Sequence, residues 1–143
     1  MTVLAALPPS TMSRGLLIEG YASLFGVPDR SGDVVRAGAF TASLRTRPVA
    51  MQLQHKPSAE IGRWVRLSED GRGLFVRGLI VAPAAQALVK AGVNGLSIGF
   101  RPQVWTARPD HGRLLIQVDL IEISLVASPM LDQARFHPFL NTA

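Results

Sequence analysis

The sequence predicts an α+β fold that is mainly antiparallel β, with about six to seven strands curled into a closed or nearly closed barrel and two short helices packed outside. Three observations carry this expectation. Short apolar runs with period-two alternation recur between clusters of Gly, Pro, Asp and Ser, as half-buried strands require. Two of those runs, 61–68 and 74–81, flank Glu69-Asp70-Gly71-Arg72-Gly73 and read as a hairpin. Helix-forming composition is confined to 37–46 and 82–91, and six or so strands with two helices fit a barrel better than a layered sheet.

Each element follows from its residues. Leu16 to Phe25 is rich in strand formers and runs into the turn residues Val27 to Asp33. Phe40 and Leu44 stand four apart within Ala37 to Thr46, and Pro48 bars the helix from continuing past Arg47. Val49, Met51, Leu53 and His55 alternate with Ala50, Gln52 and Gln54, so a strand here places His55 on the apolar face until Pro57 ends it. Pro83 suits the first turn of the second helix and Gly92 its C-terminal cap. Strands then run from Gly95 to Trp105 and from Arg113 to Ala127, joined by the turn Arg108-Pro109-Asp110-His111-Gly112, and the closing stretch from Ser128 is read as irregular with at most a helical turn. Residues 1–15 form a flexible arm and 16–143 a single domain, with no internal repeat or linker.

Composition narrows the function classes. With 48% hydrophobic residues and 17% charged, the 143-residue chain has the means to build one core. The long apolar region Leu114 to Met130 is broken by Asp119 and Glu122 and cannot be a membrane span. Zero cysteines exclude disulfides, thiolate zinc sites and a cysteine nucleophile, and the first residues lack a secretory pattern, so an intracellular protein is expected. The net charge is +5, but the arginines are scattered and the nine aromatics fall mostly in apolar strand patterns, which argues against a single-stranded nucleic-acid binder.

Gly95-Leu96-Ser97-Ile98-Gly99 fits G-x-S-x-G, with Ser97 between two positions that lack side chains on its own face. Close strand packing would explain those glycines as well. A serine hydroxyl becomes nucleophilic only beside a base, and only three histidines exist. His111 sits in a turn and His137 near the C-terminal end, where structure alone explains them; His55, ending an apolar strand face, reads equally as a core histidine or as a base. Glu122 is a carboxylate on what reads as the apolar stripe Val118, Leu120, Glu122, Ser124, Val126; it needs a cation or donors, which a histidine or an arginine could supply, unless it lies at a wet edge. Asp119, three residues away and so on the opposite face, competes for the same role. The α/β-hydrolase elbow is excluded, because the motif continues as strand and a helix precedes it. A triad of these residues has the chain order His55, Ser97, Glu122.

The blocks Ile18-Glu-Gly-Tyr-Ala-Ser-Leu-Phe-Gly26, Ser31 to Phe40, Gln54-His-Lys-Pro57, Ile61-Gly-Arg-Trp64, Asp70 to Gly78, Gly95-Leu-Ser-Ile-Gly-Phe100 and Ile121 to Met130 occur in order. Together they resemble the HK97-type prohead maturation proteases of tailed phages, a family that extends to prophages and gene transfer agents. The resemblance implies an assemblin-like barrel and a serine endopeptidase with His55, Ser97 and Glu122 as its triad, the herpesvirus relatives having a second histidine in the third place. It implies no metal or cofactor. The implied substrates are the scaffold or the scaffolding segment of the major capsid protein, and the enzyme itself, inside the procapsid in the bacterial host cytoplasm. A homo-oligomer is compatible; membrane and nucleic-acid partners are not expected. Oxyanion donors are sought in the backbone of Ala127 to Arg135 or Gly95 to Gly99. Ala37-Gly38-Ala39-Phe40 departs from the family only in lacking a proline before Gly-Ala-Phe. The alternatives are a non-catalytic capsid-assembly relative or a basic β-barrel nucleic-acid-binding protein.

Overall fold

The computed structural model describes residues 15–57 and 60–139, so all but the last residue of the expected arm lies outside the described residues. Along them run β1 (Leu16–Leu24), β2 (Val34–Val35), α1 (Thr41–Thr46), β3 (Ala50–Leu53), β4 (Gly62–Glu69), β5 (Gly73–Ile80), α2 (Pro83–Lys90), β6 (Gly95–Ala107), β7 (Arg113–Val126) and β8 (Phe136–Pro138). The eight strands share one sheet, ordered β2-β7-β3-β4-β5-β1-β8, with β6 paired to β7 off this path. The hairpin read from the sequence is β4 and β5, and Asp70 builds its turn by accepting bonds from the Arg72 and Gly73 amides at 2.8 and 3.1 Å. Both helices form, although α1 is shorter than the Ala37 to Thr46 expected because Ala37 to Phe40 turns before entering it.

Strand β7 organises the molecule. Strand β6 pairs along it from end to end, so β2, opposite Leu114 and Leu115, and β3, opposite Glu122 to Leu125, must share its other edge. Both of these pairings are parallel, where antiparallel neighbours were expected. The cause is the intervening segment 36–46, which carries the chain across between β2 and β3 so that both meet the same edge in one direction. That segment also satisfies the edge it covers: Arg36 N–H donates to Leu115 O, Val118 N–H to Ala39 O, and Leu120 N–H to Ser43 Oγ at 2.8 Å.

The sheet is not closed, which answers to the nearly closed form of the expected barrel. Strand β8 pairs with β1, and the chain around it meets the start of β6 through the Gly95–Arg135 bridge and bonds from Leu96 N–H to Ala134 O and from Phe136 N–H to Asn94 O. The stretch expected to be irregular therefore contributes a strand. Gly20 permits it, since a Cβ there would lie 2.1 Å from the Arg135 carbonyl oxygen. The core between the curled halves of the sheet includes the fully buried Ile18, Phe40, Met51, Leu74, Leu96 and Ile123. Among the described residues no helix is long and apolar enough to cross a membrane.

The start of β7 is fixed by the buried Asp33, which accepts from the Arg113 amide at 2.9 Å and from its guanidinium at 2.6 Å. Bonding to that guanidinium holds the Asp33 carboxyl below its ordinary value. Stability from such a group is present above the unfolded-state carboxylate pKa and is lost as pH falls through the lowered one. Asp33→Asn is expected to cost about 1–2 kcal/mol at neutral pH, the low range for charged hydrogen bonds because Arg113 is part-exposed. Urea unfolding of both proteins should find the difference shrinking below about pH 4.

Candidate active site

The register of β6 on β7 sets the face on which the candidate residues stand. Ser97 lies opposite Ser124 and Gly99 opposite Glu122, but Phe100 then pairs with Leu120, leaving Ile121 as an extra residue on β7. Such a bulge shifts the alternation by one. Val118 and Leu120 before it and Ile123 and Leu125 after it are all fully buried in the core, so Glu122 and Ser124 face the other way. Glu122 is thus not on an apolar stripe. The assumption that Asp119 and Glu122 take opposite faces fails for the same reason; what separates them is their surroundings, Asp119 lying part-exposed 3.9 Å from Arg47.

Strand β3 ends at Leu53, and Gln54 and His55 both take left-handed backbone conformations, φ 53° and 60°. Extrapolating the strand to place His55 on the apolar face is therefore incorrect. The turn carries it to the Glu122 side, where Nδ1 lies 2.6 Å from Glu122 Oε2. Glu122 is buried and the His55 ring half-exposed. An ionised carboxylate only accepts, so the proton of a neutral imidazole sits on Nδ1 and Nε2 keeps a free lone pair. Two further bonds complete the cluster: Ser124 Oγ–H donates to Glu122 Oε1 at 2.5 Å, and the His55 amide donates to Ser124 Oγ at 3.0 Å.

Ser97 shares this face. A Cβ at Gly99 would lie 1.9 Å from Glu122 Oε2, and side chains two apart on a strand point the same way, so Ser97 points to the side occupied by Glu122. Directly opposite residues of an antiparallel pair have Cβ atoms about 4.5–5.5 Å apart, which sets Ser97 beside Ser124. Ser97 is almost fully buried and lines a cleft with Ser23, Leu24, Val27, Met130 and Leu131, whose walls include neither His55 nor Glu122. The Leu96 amide is committed to Ala134 O and the Ala134 amide to Leu131 O, which removes both from the stretches considered as oxyanion donors. His111 and His137 are exposed and stand apart from this cluster, His111 against Gly32 and His137 beside Pro138.

A sequence model of the caudovirus prohead serine proteases matches residues 7–142. The chain belongs to this family. The prohead protease of Enterobacteria phage HK97 is 35% identical over 133 residues, covering 82% of this chain and 57% of that protein, so the chain spans a little over half the length of that relative. Among solved structures the fold is similar to the bacteriophage T4 capsid assembly protease, with TM-score 0.63 and 16% identity over 78% of this chain and 82% of that one. It is also similar to the Kaposi's sarcoma-associated herpesvirus protease bound to a hexapeptide phosphonate, with TM-score 0.60 and 17% identity over 89% and 66% of the two chains. These likenesses show the assemblin-like fold.

In this member of the prohead proteases, two residues of the cluster went unassigned in the sequence. Gly99 was visible only as part of a motif, yet its missing Cβ is what admits the Glu122 carboxylate. Ser124 was legible as a polar residue two positions beyond Glu122 in an apolar strand, but nothing local revealed its partners. The close approach at Gly99 gives a direct prediction. Gly99→Ala must push a buried carboxylate off His55, and a misplacement of about 1 Å can cost roughly 10²-fold in rate. Peptide hydrolysis should fall by that order while the melting curve stays cooperative.

Proposed function

We propose that this chain is the proteolytic unit of a capsid maturation enzyme, a serine endopeptidase in which Ser97 is the nucleophile, His55 the general base and Glu122 the orienting carboxylate. The observation that carries this reading is the 2.6 Å contact between His55 Nδ1 and Glu122 on the face that Ser97 shares. Ser97 Oγ attacks the scissile carbonyl as its proton passes to His55 Nε2, and Glu122 offsets the charge of the imidazolium. The imidazolium then protonates the leaving amine, and water, activated by the same base, releases the acyl group from Ser97. Catalytic hydrogen bonds are often long before substrate binds, and the His55–Ser97 contact is the one that binding completes. The cleft that Ser97 lines receives a substrate side chain against Leu24, Val27 and Leu131, with Asp29 and Asp33 also in its walls.

The substrates proposed are the scaffold or the scaffolding segment of the major capsid protein, and the protease itself, within the procapsid in the bacterial cytoplasm. Co-expression with the major capsid protein of the same source, followed by mass spectrometry of that protein's N-terminus, tests this; an untrimmed N-terminus with a folded protease would overturn it.

The third residue has its own test. Glu122→Gln replaces an acceptor with an amide that cannot compensate an imidazolium, and the corresponding change in a serine protease triad costs about 10⁴ in kcat. Weak but measurable activity is expected, whereas Asp119→Asn gives up only the long, part-exposed Arg47 pair and should be close to wild type. Kinetics of both variants on one peptide decide between the two carboxylates.

A further inference from the structure

Ser124 is fully buried, two residues past Glu122 and opposite Ser97. Its single hydroxyl is used twice, as donor to Glu122 Oε1 at 2.5 Å and as acceptor from the His55 amide at 3.0 Å. Because Glu122 Oε2 faces His55 Nδ1, the two oxygens of one carboxylate are held from two directions, which stops rotation of the group. The other bond acts on the backbone. Gln54 and His55 are consecutive residues with positive φ, a conformation that L side chains adopt only when the surroundings impose it. Three successive amides are tied down there: Gln54 to Leu125 O, His55 to Ser124 Oγ and Lys56 to Leu53 O. Only the middle one, that of the histidine itself, depends on a side chain.

We propose that Ser124 is a positioning residue of this site, one hydroxyl that holds both the Glu122 carboxylate and the left-handed backbone of His55 where the imidazole must stand. The inference rests on His55 and Glu122 acting as proposed above. A serine that merely filled space in the strand would be replaceable by an apolar residue of similar size; this one would not.

Ser124→Thr and Ser124→Val are nearly isosteric and differ in the hydroxyl, so their comparison separates hydrogen bonding from bulk. Two readouts on the purified chain are needed: the rate at which a fluorophosphonate labels Ser97, and the proton NMR resonance of His55 Nδ1–H in the resting protein. Ser124→Val and Ser124→Ala should label roughly 10- to 100-fold more slowly than wild type, on the scale known for partners that orient a metal-ligating histidine. Both should lose or broaden the downfield Nδ1 proton, and Ser124→Thr should recover much of each signal. Equal behaviour of Thr and Val, or slow labelling with an unchanged Nδ1 resonance, would overturn the proposal. If Val does not fold, Ala against wild type decides by the same readouts. Failure of the triad reading looks different: His55→Ala would then label like wild type, while the resonance would still report whether Ser124 positions the ring.

Discussion

Ser97→Ala should abolish self-cleavage and capsid-protein trimming while leaving the fold intact. Removing the nucleophile of a serine protease typically lowers kcat by about 10⁶, because attack, proton transfer and charge compensation work as one unit. The change deletes one oxygen from a side chain on a strand that is otherwise held by its ladder to β7, so unfolding should shift by no more than about 1 kcal/mol. Mass spectrometry of co-expressed capsid protein and a urea titration of the purified variant together check both halves. Normal processing by Ser97→Ala would remove the basis for the whole assignment.

His55→Ala should be as damaging to activity as the serine change, since Ser97 without a base keeps its proton. Unlike the serine change, it should also destabilise the protein. The buried Glu122 carboxylate would keep Ser124 as donor but lose its 2.6 Å partner, and an under-satisfied buried charge of this kind costs about 1–3 kcal/mol. His111→Ala and His137→Ala serve as controls and should be nearly silent, both rings being exposed. Fluorophosphonate labelling of the three variants under identical conditions decides which histidine matters.

The parts of this fold that were legible in the sequence are those fixed by nearest neighbours. Asp70 and the glycines around it dictate the turn between β4 and β5, and Pro83 and Gly92 bracket α2, because each constraint acts within four or five residues. Likewise Ser97 could be assigned its face by simple alternation, since the β6 register is unbroken from Gly95 to Gly99. His55 and Glu122 could be picked out by chemistry but not placed. One is itself the second of two consecutive left-handed residues, neither of them Gly nor Asn, and the other follows a bulge at an ordinary isoleucine. Both irregularities are imposed by partners far along the chain, and two errors of phase, one in each strand, misplaced both residues. The parallel pairing of β3 with β7 was hidden for a related reason: its hydrogen bonds join residues with no local turn to announce them.

That long-range pairing also governs when the site can exist. His55 is bonded to residues 67 and 69 positions further on, and closing so large a loop carries an entropic cost that only the finished ladder repays. As the chain is synthesised, histidine and serine appear before the carboxylate strand, so neither the left-handed turn nor the ring orientation has anything to lean on until β7 docks. Contacts of this span slow folding, because the loop-closure entropy must be met before they are made. A partly folded chain therefore carries the serine and the histidine but not the Glu122 and Ser124 contacts that hold the imidazole and its backbone.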